Sequence, residues 1–265
     1  MNLSKLSKPL AIASTLLALI GGAFALSPRS GTAKPAPPVN TKSATDVPVI
    51  VELFTSEGCS SCPPADAALL ELTTAQNVPG ATVIALGYHV DYWNRLGWRD
   101  PFSSAAFTAR QGAYNRAFQN DSSYTPQAIV SGTAEFVGSE KEKLRAEVAQ
   151  SAARLKASAV RIALSSVGND SYRVAATGTG GIKNPRLFVA VTESGLATKV
   201  KAGENAGRTL AHAPVVRRLV SLGAVVEGNV SLPVATGEKG DRQKIVAWVQ
   251  DGTTGAIVGA VQASR

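Results

Sequence analysis

Cysteine is nearly missing from this chain of 265 residues, which has two, along with two histidines and one methionine. So small a supply excludes a disulfide-stapled scaffold and a cysteine-rich zinc or iron–sulfur module. Charge clusters are lacking as well. The formal net charge is +8, but the basic residues are scattered, with no run beyond Arg217-Arg218. There is no nucleic-acid motif, no phosphate-binding glycine loop and no internal repeat, so nucleic acid is not an expected partner. The positive surplus reads as solubility, with some attraction to anionic surfaces.

A stretch long enough to span a bilayer is also lacking. The N-terminal apolar run, Leu10 to Ile20, is too short for that, follows the basic Lys5 and Lys8, and precedes Ala23-Phe24-Ala25. Those are the three parts of a secretory signal peptide over residues 1–25, giving a secreted or periplasmic protein with no membrane span after cleavage. Uncleaved, the same segment would be a single anchor. The mature 240 residues (265 minus 25) would carry a net charge of +6 once Lys5 and Lys8 are gone. Residues 26–48 are rich in Pro, Ala, Ser, Thr and Lys without periodicity, the composition of a disordered linker.

From Val49 the texture becomes that of a folded α/β domain, over 49–156. Val49 to Thr55 and Thr82 to Gly87 read as buried strands, and Pro64 to Gln76 between them as an amphipathic helix, a βαβ unit with parallel strands. Residues 88–124 hold nine of the fifteen aromatic residues, a helical insert whose helix, capped by Ser103-Ser104, runs through Phe107, Arg110, Tyr114 and Phe118. Tyr92, Trp93, Trp98 and Phe102 serve either as the core of that insert or as a peptide groove, core being favoured. Pro126 to Val130 and Ala134 to Gly138 form a hairpin, and Ser139 with Glu142 a capping box for a last helix. Over 157–265, short alternating runs such as Val246-Ala247-Trp248-Val249 predict a mainly antiparallel, sandwich-like β region with a boundary near Lys156.

The two cysteines stand three apart, Cys59-Ser60-Ser61-Cys62, at the exit of the first strand. A pair at this spacing can close and reopen a small disulfide ring, at the sheet edge where α/β folds expose their chemistry. A ring of four residues constrains the unfolded chain little, so a staple is the weaker reading and thiol–disulfide exchange the stronger. His89 and Asp91 leave the second strand near the same edge. A histidine there could move protons for a thiol, with Asp91 orienting it; otherwise His89 packs among the insert's aromatics. The polar loop from Lys199 to Arg208 reads as a turn with a Glu204–Arg208 pair, followed by His212.

The first half resembles the thioredoxin superfamily, in the strand leading into Cys59-x-x-Cys62, the helix after it, and Thr125-Pro126 opening the hairpin. The segments Glu52 to Asp66, His89-Val90-Asp91-Tyr92-Trp93, Tyr124-Thr125-Pro126-Gln127 and Gly203 to Arg208 resemble an exported thioredoxin-like family of unknown function. The resemblance implies a redox motif with no established substrate and no cofactor. By position, Cys59 matches the attacking and exposed cysteine, Cys62 the buried resolving one, Pro126 a cis-proline, and Thr125 a donor of backbone contacts to substrate. Glu52 is the nearest match to a buried acid, one residue further from the cysteine than usual, and Pro63-Pro64 removes helix amide donors. The expected function is an exported thiol–disulfide oxidoreductase acting on protein or small disulfides. Two other classes stay open: copper or zinc handling through Cys59, Cys62 and His89, and a non-catalytic binding module.

Overall fold

Two mostly apolar strands begin the fold of the computed structural model, which describes residues 46–265; the expected signal peptide and most of the expected linker lie outside the described residues. β1 (Val47–Thr55), α1 (Pro63–Ala75) and β2 (Ala81–His89) form the βαβ unit, with the strands parallel and in register from Val47 opposite Ala81 to Thr55 opposite His89. Both strands are buried on both sides, which is why each reads as a continuous apolar run. Pro63 and Pro64 occupy the first helical positions of α1, where a missing N–H is no loss, so the helix starts one residue earlier than expected.

α2 (Ala105–Phe118) is capped by Ser104, whose hydroxyl accepts the Ala106 amide at 3.2 Å. β3 (Gln127–Val130) and β4 (Ala134–Val137) form the expected hairpin, and α3 (Lys141–Lys156) closes this half. The Ser139–Glu142 capping box does not form: α3 begins one residue too late for it, and Glu140 holds the cap position without a side-chain bond.

The later chain supplies β5 (Arg161–Gly168), β6 (Ser171–Thr177), β7 (Pro185–Glu193), β8 (Ala197–Lys199), β9 (Thr209–Ala211), β10 (Val215–Gly223), β11 (Glu227–Ser231), β12 (Gln243–Asp251) and β13 (Ile257–Ser264). Here the expectation of a separate β domain beyond residue 156 is corrected. One eight-stranded sheet runs β13-β12-β7-β10-β2-β1-β3-β4, so strands from both halves share it. The seam is β2 against β10, parallel, with the Gly87 amide donating to the Pro214 carbonyl at 2.8 Å. A β-carbon at Gly87 would stand 3.1 Å from that oxygen, so the close approach depends on glycine. The sandwich-like part is real but small: the sheet β11-β6-β5 buries Val174 and Val230 against Leu187, Val189, Ile245 and Ala247.

The molecule is thus mixed α/β, built on a large, mainly antiparallel sheet with three α-helices among the described residues. None of those helices is long and apolar enough to cross a membrane. Strand alternation assigns the two faces of β1. Val49, Val51 and Leu53 pack with α1 and α3, whereas Ile50 and Phe54 face an aromatic layer of Tyr88, Phe107, Tyr114 and Trp248.

Candidate functional site

The chain leaves β1 at Thr55 and enters α1 at Pro63, and the seven residues between them carry both cysteines. Cys59 and Cys62 form a disulfide with their Cα atoms 5.4 Å apart. The Cys62 carbonyl accepts the first free helix amides, Ala65 N at 2.9 Å and Asp66 N at 3.1 Å, which fixes that cysteine to the end of α1. Cys59 Sγ lies 3.4 Å from the Ser61 hydroxyl and 3.9 Å from the Thr125 carbonyl oxygen. The Thr125–Pro126 bond is cis, and the Thr125 hydroxyl accepts the Trp93 indole N–H at 2.8 Å. The sequence pattern therefore brings Cys59, Cys62 and Thr125-Pro126 together.

The expected exposure of Cys59 is corrected. Cys59 is 0 % exposed and Cys62 1 %, while Ser60 and Ser61 between them are exposed. The loop joining β8 to β9, far away in sequence, is hydrogen-bonded to this segment. Glu204 accepts the Ser60 amide at 2.9 Å, and the buried Asn205 donates its amide N–H groups to the carbonyls of Glu57 and Cys59, each at 2.9 Å. Arg208 bonds to Asn205 Oδ1 at 2.6 Å, not to Glu204 as expected. The Ser60 bonds hold the Glu204 carboxyl below its ordinary value.

Glu52 is corrected too. As an even-numbered residue of β1 it points into the aromatic layer, away from α1, and pairs with Arg110 Nε at 2.5 Å and with the Tyr114 hydroxyl. The guanidinium of Arg110 lies 5.1 to 5.6 Å from the ring centres of Tyr88, Tyr114, Phe188 and Trp248. Burial pushes the Tyr88 and Tyr114 hydroxyls well above their ordinary value, with Glu52 adding to it. This is a structural ion pair in a shell of rings. Tyr92, Trp93, Trp98 and Phe102 are half-buried; Tyr92 and Trp93 pack on the same aromatic layer.

His89 is buried at the end of β2, but Asp91 does not orient it. Asp91 turns to α2 and accepts the Thr108 hydroxyl at 2.6 Å, because alternation ends where the strand ends. The partner of His89 is Asp100, with Nδ1 to Oδ2 at 2.7 Å. Burial works against a charged imidazole, yet Asp100, with Asp66 and Glu57 behind it, raises His89 above its ordinary value. Burial likewise works against a charged Asp100, and His89 nevertheless holds it below the usual carboxylate range.

Four residues that sequence reasoning did not assign to the site complete it. Asp66 on α1 accepts the Thr55 hydroxyl at 2.6 Å, and burial raises its carboxyl, with His89 opposing. Glu57 accepts the Trp98 indole N–H at 2.7 Å and faces His212 Nε2 at 3.0 Å. His212 stacks edge-on against His89, ring centres 5.0 Å apart, and Asp100 closes the group. The signal available was scarcity: a chain with two histidines in 265 residues brings both to one place. Among the described residues, the potential metal ligands that come together are Asp66, His89 and His212, and Cys59 and Cys62 stand outside that group.

The chain belongs to the family described as "Protein of unknown function (DUF1223)", whose model matches residues 50–250. It is similar to a protein from Agrobacterium tumefaciens solved by X-ray crystallography, at 30 % identity and a TM-score of 0.63, over 83 % of this chain and 95 % of that one. No curated protein matches it.

Proposed function

Proceeding from that membership, we propose that this chain is an exported thiol–disulfide oxidoreductase with a thioredoxin-like first half. The observation that carries the reading is the position of the Cys59–Cys62 disulfide against the Thr125 carbonyl, 3.9 Å from Cys59 Sγ and directly before a cis-proline. The order βαβ, helical insert, ββα supports the thioredoxin-like reading. The N-terminal sequence supports export, and the partners are protein or peptide thiols and disulfides.

In the reducing direction, the Cys59 thiolate attacks one sulfur of a substrate disulfide and releases the other as a thiolate. Cys62 thiolate then attacks Cys59 Sγ, releasing the second substrate sulfur and closing the ring. Two electrons pass from the protein dithiol to the substrate disulfide, and the reverse sequence oxidises a substrate dithiol. Both cysteines are buried, so substrate entry requires a local opening, and the loop carrying Glu204 and Asn205, which is bonded to the same segment, is the element proposed to move.

Equilibration of the protein with glutathione redox buffers, followed by thiol counting, tests the reading. A reduction potential well above about −300 mV is expected for an exchanging pair, and one below it marks a structural disulfide and sinks the proposal.

A further inference from the structure

We propose that Asp66, His89 and His212 bind one divalent transition-metal ion of the zinc class, at a site separate from the cysteines. The three residues come from α1, the end of β2 and the residue after β9, and their ligand atoms lie within 4.8 Å of one another. Donors on a tetrahedral zinc ion stand about 3.4 Å apart for bonds of about 2.1 Å, so closure around an ion draws the ligand atoms together by up to about 1.4 Å, shared among the three side chains.

Each histidine is already set up as a ligand. His89 gives Nδ1 to Asp100 at 2.7 Å, and His212 gives Nε2 to Glu57 at 3.0 Å. In a neutral imidazole, a carboxylate on one ring nitrogen makes that nitrogen the donor and the other the one that can ligate, the arrangement that metal-binding histidines use, so metal binding there displaces any proton the ring carries. The remaining atoms agree. His89 Nε2 and Asp66 Oδ1 are both buried without a hydrogen-bond partner, although the other Asp66 oxygen takes the Thr55 hydroxyl. Two buried polar atoms without partners, one nitrogen and one oxygen, facing the same space are costly unless something occupies it.

That space is a cavity of about 10 Å³ bordered by Thr55, Glu57, Asp66, His89 and His212, room for one atom-sized occupant and not for a substrate. Two imidazoles and one carboxylate suit zinc-class ions and not magnesium or calcium, which take oxygen donors. The ion would tie α1, which begins at the cysteine pair, to the end of β9, the strand that follows the Glu204–Asn205 loop.

Oxidised protein stripped with a chelator should be titrated with Zn(II) by calorimetry and with Co(II) by visible absorption. One equivalent is expected, with Co(II) bands free of sulfur charge transfer. Affinity should fall at least tenfold in Asp66→Asn and His212→Gln and stay within twofold in the Cys59→Ser/Cys62→Ser protein. A readout independent of variant folding is NMR of the wild type, whose two histidines should both shift on Zn(II) addition. Substoichiometric binding, or unmoved imidazole signals, would mean that a water fills the cavity and would overturn the site. Binding lost in the cysteine variant but kept in His212→Gln would do the same.

Discussion

Glu204 accepts a hydrogen bond from the Ser60 amide, 2.9 Å away across 144 residues of chain. The bond ties the loop after β8 to the middle of the Cys59–Cys62 ring. With the two Asn205 bonds it fixes the backbone of a ring whose cysteines are buried although Ser60 and Ser61 between them are exposed.

Glu204→Gln should let a phosphine reduce the disulfide roughly two- to fivefold faster at neutral pH, since a charge-assisted bond becomes a neutral one. The effect should depend on pH with a definite sign. A carboxyl lowered in the folded protein contributes its bond above the ordinary carboxylate range and loses it as pH falls through the lowered value. The wild-type rate should therefore approach the variant's in acid. Equal rates at neutral pH would show that Glu204 does not hold the cover.

Asn205→Ala removes the donor to two carbonyls, those of Glu57 and Cys59, at a fully buried position. Leaving both unpaired should cost about 2–4 kcal/mol, read as a lower urea midpoint with an unchanged slope. A change below about 0.5 kcal/mol would mean that water replaces the amide.

Replacing the cysteines should be asymmetric in reaction and mild in stability. Cys59→Ser should abolish exchange with a disulfide probe, and Cys62→Ser should trap a mixed disulfide through Cys59. Loss of the four-residue ring should cost about 2 kcal/mol or less. Mass spectrometry of the trapped species decides the first point; a trap through Cys62 in the Cys59→Ser protein would reverse the assignment.

Arg110→Met strands the fully buried Glu52 carboxylate and should destabilise the fold by about 3–5 kcal/mol. Glu52→Gln should leave the reduction potential of the cysteine pair unchanged, because Glu52 lies on the other face of β1. A shift of more than about 30 mV would return Glu52 to the redox site, since that amount corresponds to a tenfold change in equilibrium.

Much of the first half was legible because its signals are local. β1 and β2 are continuous apolar runs, α2 repeats aromatics at helical spacing behind a capping serine, and the hairpin is marked by Ser131-Gly132. What escaped is long-range or broken in pattern. β10 carries Arg217 and Arg218 inside its run, which reads as polar until Glu193 and Glu238 are seen beside them. Nothing near Cys59 in sequence announces Asn205, and nothing near His89 announces His212. The orientation of Glu52 was open to reading by parity alone: it alternates with Leu53, which packs on α1.

The seam between β2 and β10 has a bearing on how this chain can be cut or recombined. A fragment ending at residue 156 would retain the cysteines and their helix yet lose Asn205 and His212 and uncover the buried flank of β2, which β10 meets at Gly87. Such an edge recruits other strands, so the severed half would self-associate instead of standing as a module. An engineer seeking a minimal version has to trim loops within the whole.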